Sequence, residues 1–219
     1  MPETQLDNVR VVRIGRSNMS QAQAIFFHAY KDNPFMMHML NANKRGYEQR
    51  LRGMIREDML QHFSDSNIAL AIALGDRLIG AAMVNSADEP EDLGSSWRWR
   101  LGMYSVAGIM TTHRLRRYFA AKHNALGKID HHWILLIGLH PEFQHRGFGH
   151  RLMDAIHQEC ERDSKFNGIS VDSHCDHDRE FFESLNYCPV SDLSTGDVHI
   201  DLMYHCREGD ENPFSPATD

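Results

Sequence analysis

The sequence predicts an α/β domain built on one mixed sheet. Three observations carry that reading. Apolar-strand and helical patterns alternate in the order strand, two helices, two strands, a helical insert, then strand–helix–strand–helix–strands. Residues 131–139 form a nearly continuous apolar run, as a central, doubly covered strand does. The length of 219 residues suits one domain with at most an appendage. With 42% hydrophobic and 24% charged residues, 15 glycines and 7 prolines, the chain can bury a core and fits neither a disordered nor a fibrous class.

The elements follow in order. Val9–Ile14, β-branched and apolar, reads as a first strand. Ser20 is placed to cap a helix running toward Tyr30, with Ala24, Phe27 and Ala29 inward and Pro34 limiting it. Tyr47, Leu51, Met54, Ile55, Met59 and Phe63 recur at helical spacing and predict a second helix from about Lys44 to His62. Asn67–Leu74 and Arg77–Asn85 read as two strands joined by Gly75-Asp76, a short hairpin connection. Asp88 to Ser96 is acidic and then rich in Gly and Ser, and reads as a loop.

Residues 97–126 read as one broken helix or two short ones, with Trp97, Trp99, Met103 and Tyr104 among their apolar positions. Their interleaved arginines fit an amphipathic helix facing solvent better than a nucleic-acid surface, because the net charge is −7. After the central strand come a helix over Phe148–Arg162, a strand over Gly168–Ser173 and a short helix over Asp178–Leu185. Tyr187–Val190 and Val198–Cys206 close the domain as strands, so residues 1–206 form one domain and 207–219 a polar tail.

Several classes are set aside. The negative charge supplies no global field for nucleic acid or anionic lipid. The apolar stretches Ile68–Leu74 and Trp133–Leu139 fall far short of the ~20 residues of a spanning helix. The amino terminus lacks the basic-then-apolar pattern of a secretory signal, and the expected location is the cytoplasm. Cys160, Cys175, Cys188 and Cys206 form no CxxC pair and are read as reduced. The 15 histidines include no HExxH. Their nearest cluster, His174-Cys175-Asp176-His177, consists of consecutive side chains that rarely converge on one ion, so no metal is expected.

The chemistry concentrates between the central strand and its helix, in Leu139-His140-Pro141-Glu142-Phe143-Gln144-His145-Arg146-Gly147-Phe148-Gly149-His150. A helix start leaves backbone N–H groups without partners and carries partial positive charge. Glycines there let a diphosphate approach those donors, and His145 and Arg146 stand ready to add charge-assisted contacts. A second reading stays open, that the glycines only permit a tight strand-to-helix turn. A dinucleotide fingerprint is excluded by Leu152 at the third glycine's place, and no P-loop GK[ST] follows.

The whole string resembles the acetyl-coenzyme A loop of the GNAT N-acetyltransferase superfamily, Gln/Arg-x-x-Gly-x-Gly/Ala after a strand ending in aliphatic-x-Pro. Here Gln144, Gly147 and Gly149 follow Leu139-His140-Pro141. The family's second motif, an Asn and then Phe-Tyr-x-x-x-Gly-Phe, is similar to the run from Asp178 through Phe181-Phe182 to Asn186-Tyr187. The long insert and the His-Trp opening the central strand look like the puromycin N-acetyltransferase branch.

The resemblance implies a single mixed, largely antiparallel sheet with flanking helices, whose central strand splays from Gly168–Ser173. Pantetheine would lie in the gap and pair with main-chain groups near Ile137 and Leu139. The amides of Gln144, His145, Arg146, Gly147, Phe148, Gly149 and His150 would hold the pyrophosphate, with Asp178 and Phe182 also at the cofactor. The implied reaction is direct attack of a primary amine of a small molecule on acetyl-CoA, the co-substrate, beside a strand N–H able to stabilise an oxyanion. Asp172 is the nominated base, at the strand position where the branch carries a glutamate; an Asp ending a strand and bonding a turn is the plainer alternative.

Three positions depart from the family pattern. Phe182 replaces the usual tyrosine acid, Asp178 an asparagine, and Asn186 a glycine in a place where left-handed backbone is tolerated. Two other functions are carried alongside: an acyl-CoA-binding module without catalysis, and a protein acetyltransferase. Neither nucleic acid nor membrane is an expected partner, and a homodimer is allowed for.

Overall fold

The computed structural model describes residues 9–64, 67–86, 97–195 and 197–214, and seven strands in them form one mixed sheet. They are β1 (Val9–Arg13), β2 (Ile68–Leu74), β3 (Arg77–Ser86), β4 (His132–Leu139), β5 (Gly168–Ser173), β6 (Cys188–Asp192) and β7 (Asp201–Cys206). Their order across the sheet is β1-β2-β3-β4-β5-β7-β6, and every neighbouring pair but β4–β5 is antiparallel. The expected sheet class is present.

The parallel pair is the informative one. β4 and β5 pair only at His132↔Ile169 and Trp133↔Ser170, and the strands part beyond that point. On its other edge β4 stays paired with β3 as far as Leu139, with a register shift between Met83 and Val84. That shift leaves Leu135 without an opposite residue, which is a β-bulge. Its effect shows in the packing: Leu135 and Leu136 both meet one core, whereas Ile134 and Ile137 meet the other. The central strand thus bends where the sheet opens.

Helices cover both faces. On one lie α1 (Met19–Tyr30), α2 (Pro34–Met39), α3 (Tyr47–His62), α4 (Trp97–Ala107) and α5 (Ile109–Leu126), around a core that includes Phe26, Leu51, Ile55, Met83, Trp99 and Met103. The other face is covered by α6 (Phe148–Glu161) and α7 (Asp176–Glu183), which bury Leu152, Ile156 and Phe182 with Val84, Ile134 and Val171. The insert is two helices, and Gly108 with φ of 84° separates them.

Some local expectations are corrected. Ser20 lies inside α1; the residue before that helix is Asn18, whose side chain accepts the Gly15 N–H at 3.2 Å. Ala24 is exposed, whereas Phe27 is buried as expected, together with Ala22, Ile25 and Phe26, and Ala29 is half-buried. Pro34 opens the unexpected helix α2 at its first position, and the Asn33 side chain accepts from the Met36 N–H at 3.1 Å. The expected loop at 88–96 lies outside the described residues. Residues 207–214 are held against the domain: Arg207 donates to the carbonyls of Glu161 and Asp163, and the Phe214 ring meets Tyr204. The four cysteines are free thiols.

Candidate active site

The strand-to-helix turn after β4 is built from two left-handed residues. His145 has φ of 58° and Gly147, at the N-cap of α6, φ of 80°. A Cβ on Gly147 would meet nothing within 4 Å, so glycine is needed there for its backbone angle rather than for space. At Gly149 the need is space: a Cβ would stand 3.2 Å from the Phe181 ring, and its absence lets α7 approach α6. The first bond along the helix runs from Arg151 N–H to the Gly147 carbonyl at 3.2 Å. The amides of Phe148, Gly149 and His150 therefore have no partner within the helix, and the positive end of its dipole lies among them.

Around this turn, Gln144 folds back and its Nε2 donates to the Leu139 carbonyl at 3.2 Å. Arg146 lies over the Phe143 ring, His145 stands beside His177, and His150 meets Phe181 edge-on. Phe148 is buried beneath. The seven positions expected from Gln144 to His150 thus share one turn. Asp178 sits in the first turn of α7, close enough to act electrostatically on Tyr30 and His174.

Where β4 and β5 part, polar main-chain groups of β4 lose a strand partner and find side chains. The Ile137 N–H donates to the Tyr30 hydroxyl at 3.2 Å, and Leu139 C=O takes the Gln144 amide. Beyond this gap lies a narrow cleft. Ile134 to Ile137, Val171 and Asp172 line it from the sheet, and Tyr30, Asp58, Trp99 and Tyr118 are among its helical lining.

Asp172 faces this cleft, but it is not a lone carboxylate. Lys122 of α5 places Nζ 2.8 Å from Oδ1 and 2.9 Å from Oδ2, and the lysine is itself buried. Burial first, and the Asp172 carboxylate second, hold the Tyr118 hydroxyl well above its ordinary range. His174 stacks on Phe35 with ring centroids 4.8 Å apart, and burial lowers its pKa.

The site also contains a residue that the sequence reading missed. Asp58 of α3 is 4% exposed, and its Oδ1 accepts the indole N–H of Trp99 at 2.6 Å. Burial pushes its carboxyl up to about 7, the indole bond opposes that rise, and Glu57 adds a small increment. A signal was present. Asp58 occupies the core stripe of α3 between Ile55 and His62, where the spacing calls for an apolar side chain.

Phe182 is 4% exposed and packs among Phe181 and Tyr187. The helix ends at Glu183, and Asn186 has φ of 64°, the left-handed backbone expected of it. Tyr187 is buried, and its hydroxyl is 3.0 Å from Nε2 of His157 on α6. Of the insert's aromatic and Met positions, Trp99 lines the cleft; Met103 is in the core and Trp97 is 67% exposed. Among the described residues no group of three or more His, Cys, Asp or Glu side chains is placed to hold a metal.

A splayed parallel pair, a bulged central strand and a helix N-terminus at the mouth of the gap define an acyl-CoA-dependent acyltransferase fold. The family model for the acetyltransferase (GNAT) family matches residues 33–187, and the chain belongs to that family. Three solved structures are similar to it. A histone acetyltransferase HPA2-related acetyltransferase from Corynebacterium glutamicum is 11% identical, with a TM-score of 0.66 over 90% of this chain and 95% of that one. An agmatine N-acetyltransferase is 14% identical, with a TM-score of 0.63 over 90% and 99%. The polyamine N-acetyltransferase of Drosophila melanogaster is 13% identical, with a TM-score of 0.61 over 90% and 99%. At such identities these likenesses establish the fold and leave the branch open. Among curated proteins no sequence matches this chain.

Proposed function

We propose that this protein moves the acetyl group of acetyl-CoA to a primary amine of a small molecule, by direct attack and without a covalent enzyme intermediate. One observation carries the reading: the β4–β5 gap, flanked by the α6 turn, opens directly into the cleft lined by α1, α3 and the insert. Two substrates entering from opposite sides would meet there.

The residues present fit the co-substrate. The α6 turn from Gln144 to His150 offers unpartnered first-turn amides to a pyrophosphate. Main-chain groups of Ile137 and Leu139, now held by the Tyr30 hydroxyl and the Gln144 amide, are the ones a pantetheine amide would engage. Asp178 and Phe182 belong to the helix that closes over Gly149. Acetyl-CoA supplies an activated thioester carbonyl, and the chain's part is to bind it, orient the amine, exclude water and accept a proton.

Asp172 stays in the proposal as a cleft residue that binds Lys122 and positions that cation. Phe182 has no proton to give, so the thiolate leaves unprotonated and is protonated by water. The same residue favours the second reading, an acyl-CoA-binding module without turnover. A protein substrate is disfavoured because Trp99 and Phe119 of the insert help to line the cleft. Release of free thiol from acetyl-CoA across a panel of amines tests the proposal. Amine-dependent turnover supports it, and binding of acetyl-CoA without turnover supports the module instead.

A further inference from the structure

We propose that Asp58 is the acceptor's anchor and its proton acceptor, and that the acceptor is a monoamine carried on an apolar, ring-bearing body. The inference rests on the transfer reading above and adds to it the substrate class and the basic group. It stands first on the composition of the cleft. Its walls are largely aromatic and aliphatic, with Phe35, Tyr118, Phe119 and Trp133 among them. Two carboxylates face this space, and they differ. Asp172 is neutralised by Lys122 through both oxygens. Asp58 has no cation partner among the described residues, and its Oδ1 is fixed by the Trp99 indole. Among those residues its second oxygen, Oδ2, makes no hydrogen bond.

A buried carboxylate without a cation is costly unless something charged comes to it. An ammonium group entering the cleft meets that need, and the surrounding rings favour both a cation and an apolar body. A diamine or guanidino amine would bring a second positive charge into a space whose other carboxylate already has Lys122. Discrimination by charge count follows from that.

The step balances simply. The bound R–NH3⁺ gives one proton to Oδ2 of Asp58 and becomes a neutral amine. Its nitrogen lone pair forms the C–N bond to the thioester carbonyl carbon as the C–S bond breaks. The thiolate takes the remaining excess proton of the nitrogen through water, and the proton on Asp58 returns to solvent when product leaves.

The groups facing Asp58 do not share its behaviour. Glu57 on α3 raises its pKa slightly, Trp99 on α4 lowers it, and the Tyr30 and Tyr118 hydroxyls stay protonated because burial raises both. Asp172 and Lys122 form an ion pair, and burial lowers the pKa of His174. An acid limb near pH 7 therefore belongs to Asp58.

The test compares the wild type with Asp58→Asn, which keeps an oxygen to accept the Trp99 indole. Three probes are used: 2-phenylethylamine, 1,4-diaminobutane and agmatine. Thiol release is measured from pH 5.5 to 9, and amine binding by thermal shift without acetyl-CoA. The expected result is a preference for 2-phenylethylamine and a ~10²–10⁴-fold lower kcat/KM for it in Asp58→Asn. KM for acetyl-CoA should stay within a few-fold, and both the acid limb and the amine-induced shift should disappear. Trp99→Phe, which removes the donor that lowers the carboxyl, should move the limb to higher pH. Wild-type turnover or binding in Asp58→Asn overturns the inference, as does preference for either dication or failure of all three amines to bind. The two proposals separate cleanly. Asp58-dependent amine binding without thiol release removes acetyl transfer and keeps the anchor, whereas transfer indifferent to Asp58→Asn removes the anchor and keeps the transfer.

Discussion

At the scale of single residues, the turn and the cleft differ in how they are encoded. Gln144, Gly147 and Gly149 lie within six consecutive positions, and local backbone geometry suffices to bring them into one turn. They were legible in the sequence. The pairs that shape the cleft were not, because Trp99–Asp58 spans 41 residues and Lys122–Asp172 spans 50. No periodicity links residues so far apart, and the Lys122 partner of Asp172 appears only in the fold. The turn supplies a direct prediction. Gly147→Val forces a β-branched residue to φ of 80°, so it should lower the melting temperature and remove most of the stabilisation by acetyl-CoA. At ~100 times its dissociation constant that ligand should add about 2.7 kcal/mol to the wild type's unfolding free energy. No rise in the wild type's melting temperature would sink the cofactor assignment. A third expectation concerns the acid. Tyr187→Phe should leave turnover close to wild type, because its hydroxyl is taken up by His157 and not by the cleft. A large fall in a well-folded variant would show that Tyr187 supplies the acid.

Among elements, the long periodic ones were legible and the short ones were not. The second helix and the Gly75-Asp76 hairpin carry patterns that survive in the structure with small shifts of boundary. α2 has only six residues, too few for a period, and its Pro34 reads equally well as a stop or as a first helical position. The insert's contact with the rest of the domain was also hidden. α3 and α4 pack so closely that a Cβ on Gly53 would lie 2.8 Å from the Cβ of Val106. This crossing holds Trp99 over Asp58, since the two residues ride on the two helices. Gly53→Val should therefore push α4 outward. We expect a loss of order 1–3 kcal/mol from overpacking, and a several-fold rise in KM for the amine with that for acetyl-CoA nearly constant. Equal changes in both constants would show that the insert does not govern the acceptor alone.

For the whole molecule, buried histidines set the response to acid. Burial lowers the pKa of His131 to about 4, against the pull of its bond to the Ile129 carbonyl, and that of His157 to about 4 with His205 adding to the effect. Below the ordinary value of about 6.5 the unfolded chain takes up protons that these folded groups refuse, so stability should fall as pH drops toward 4. Asp58 works in the opposite sense, because its raised pKa stabilises the fold at low pH and that contribution is lost as pH rises through about 7. The histidines outnumber it. The melting temperature should decline between pH 7 and 5, with His131 contributing up to about 1 kcal/mol per pH unit and the more accessible His157 less. His131→Gln should flatten the decline and Asp58→Asn should steepen it; unchanged slopes in both variants would refute the assignment.

The parting of β4 from β5 also has a mechanical side. Two residue pairs are all that stitch β1–β4 to β5–β7–β6 through strand hydrogen bonds, so the sheet is a hinged pair of panels. A ligand whose amides bond to both edges of the gap would act as the missing rungs. Acetyl-CoA should then slow deuterium uptake by the Ile137 and Leu139 amides on β4 and also by β5, well away from the α6 turn, and should merge the two panels into one unit on unfolding. Protection confined to residues 144–150 would mean that the panels stay independent when the loop is filled.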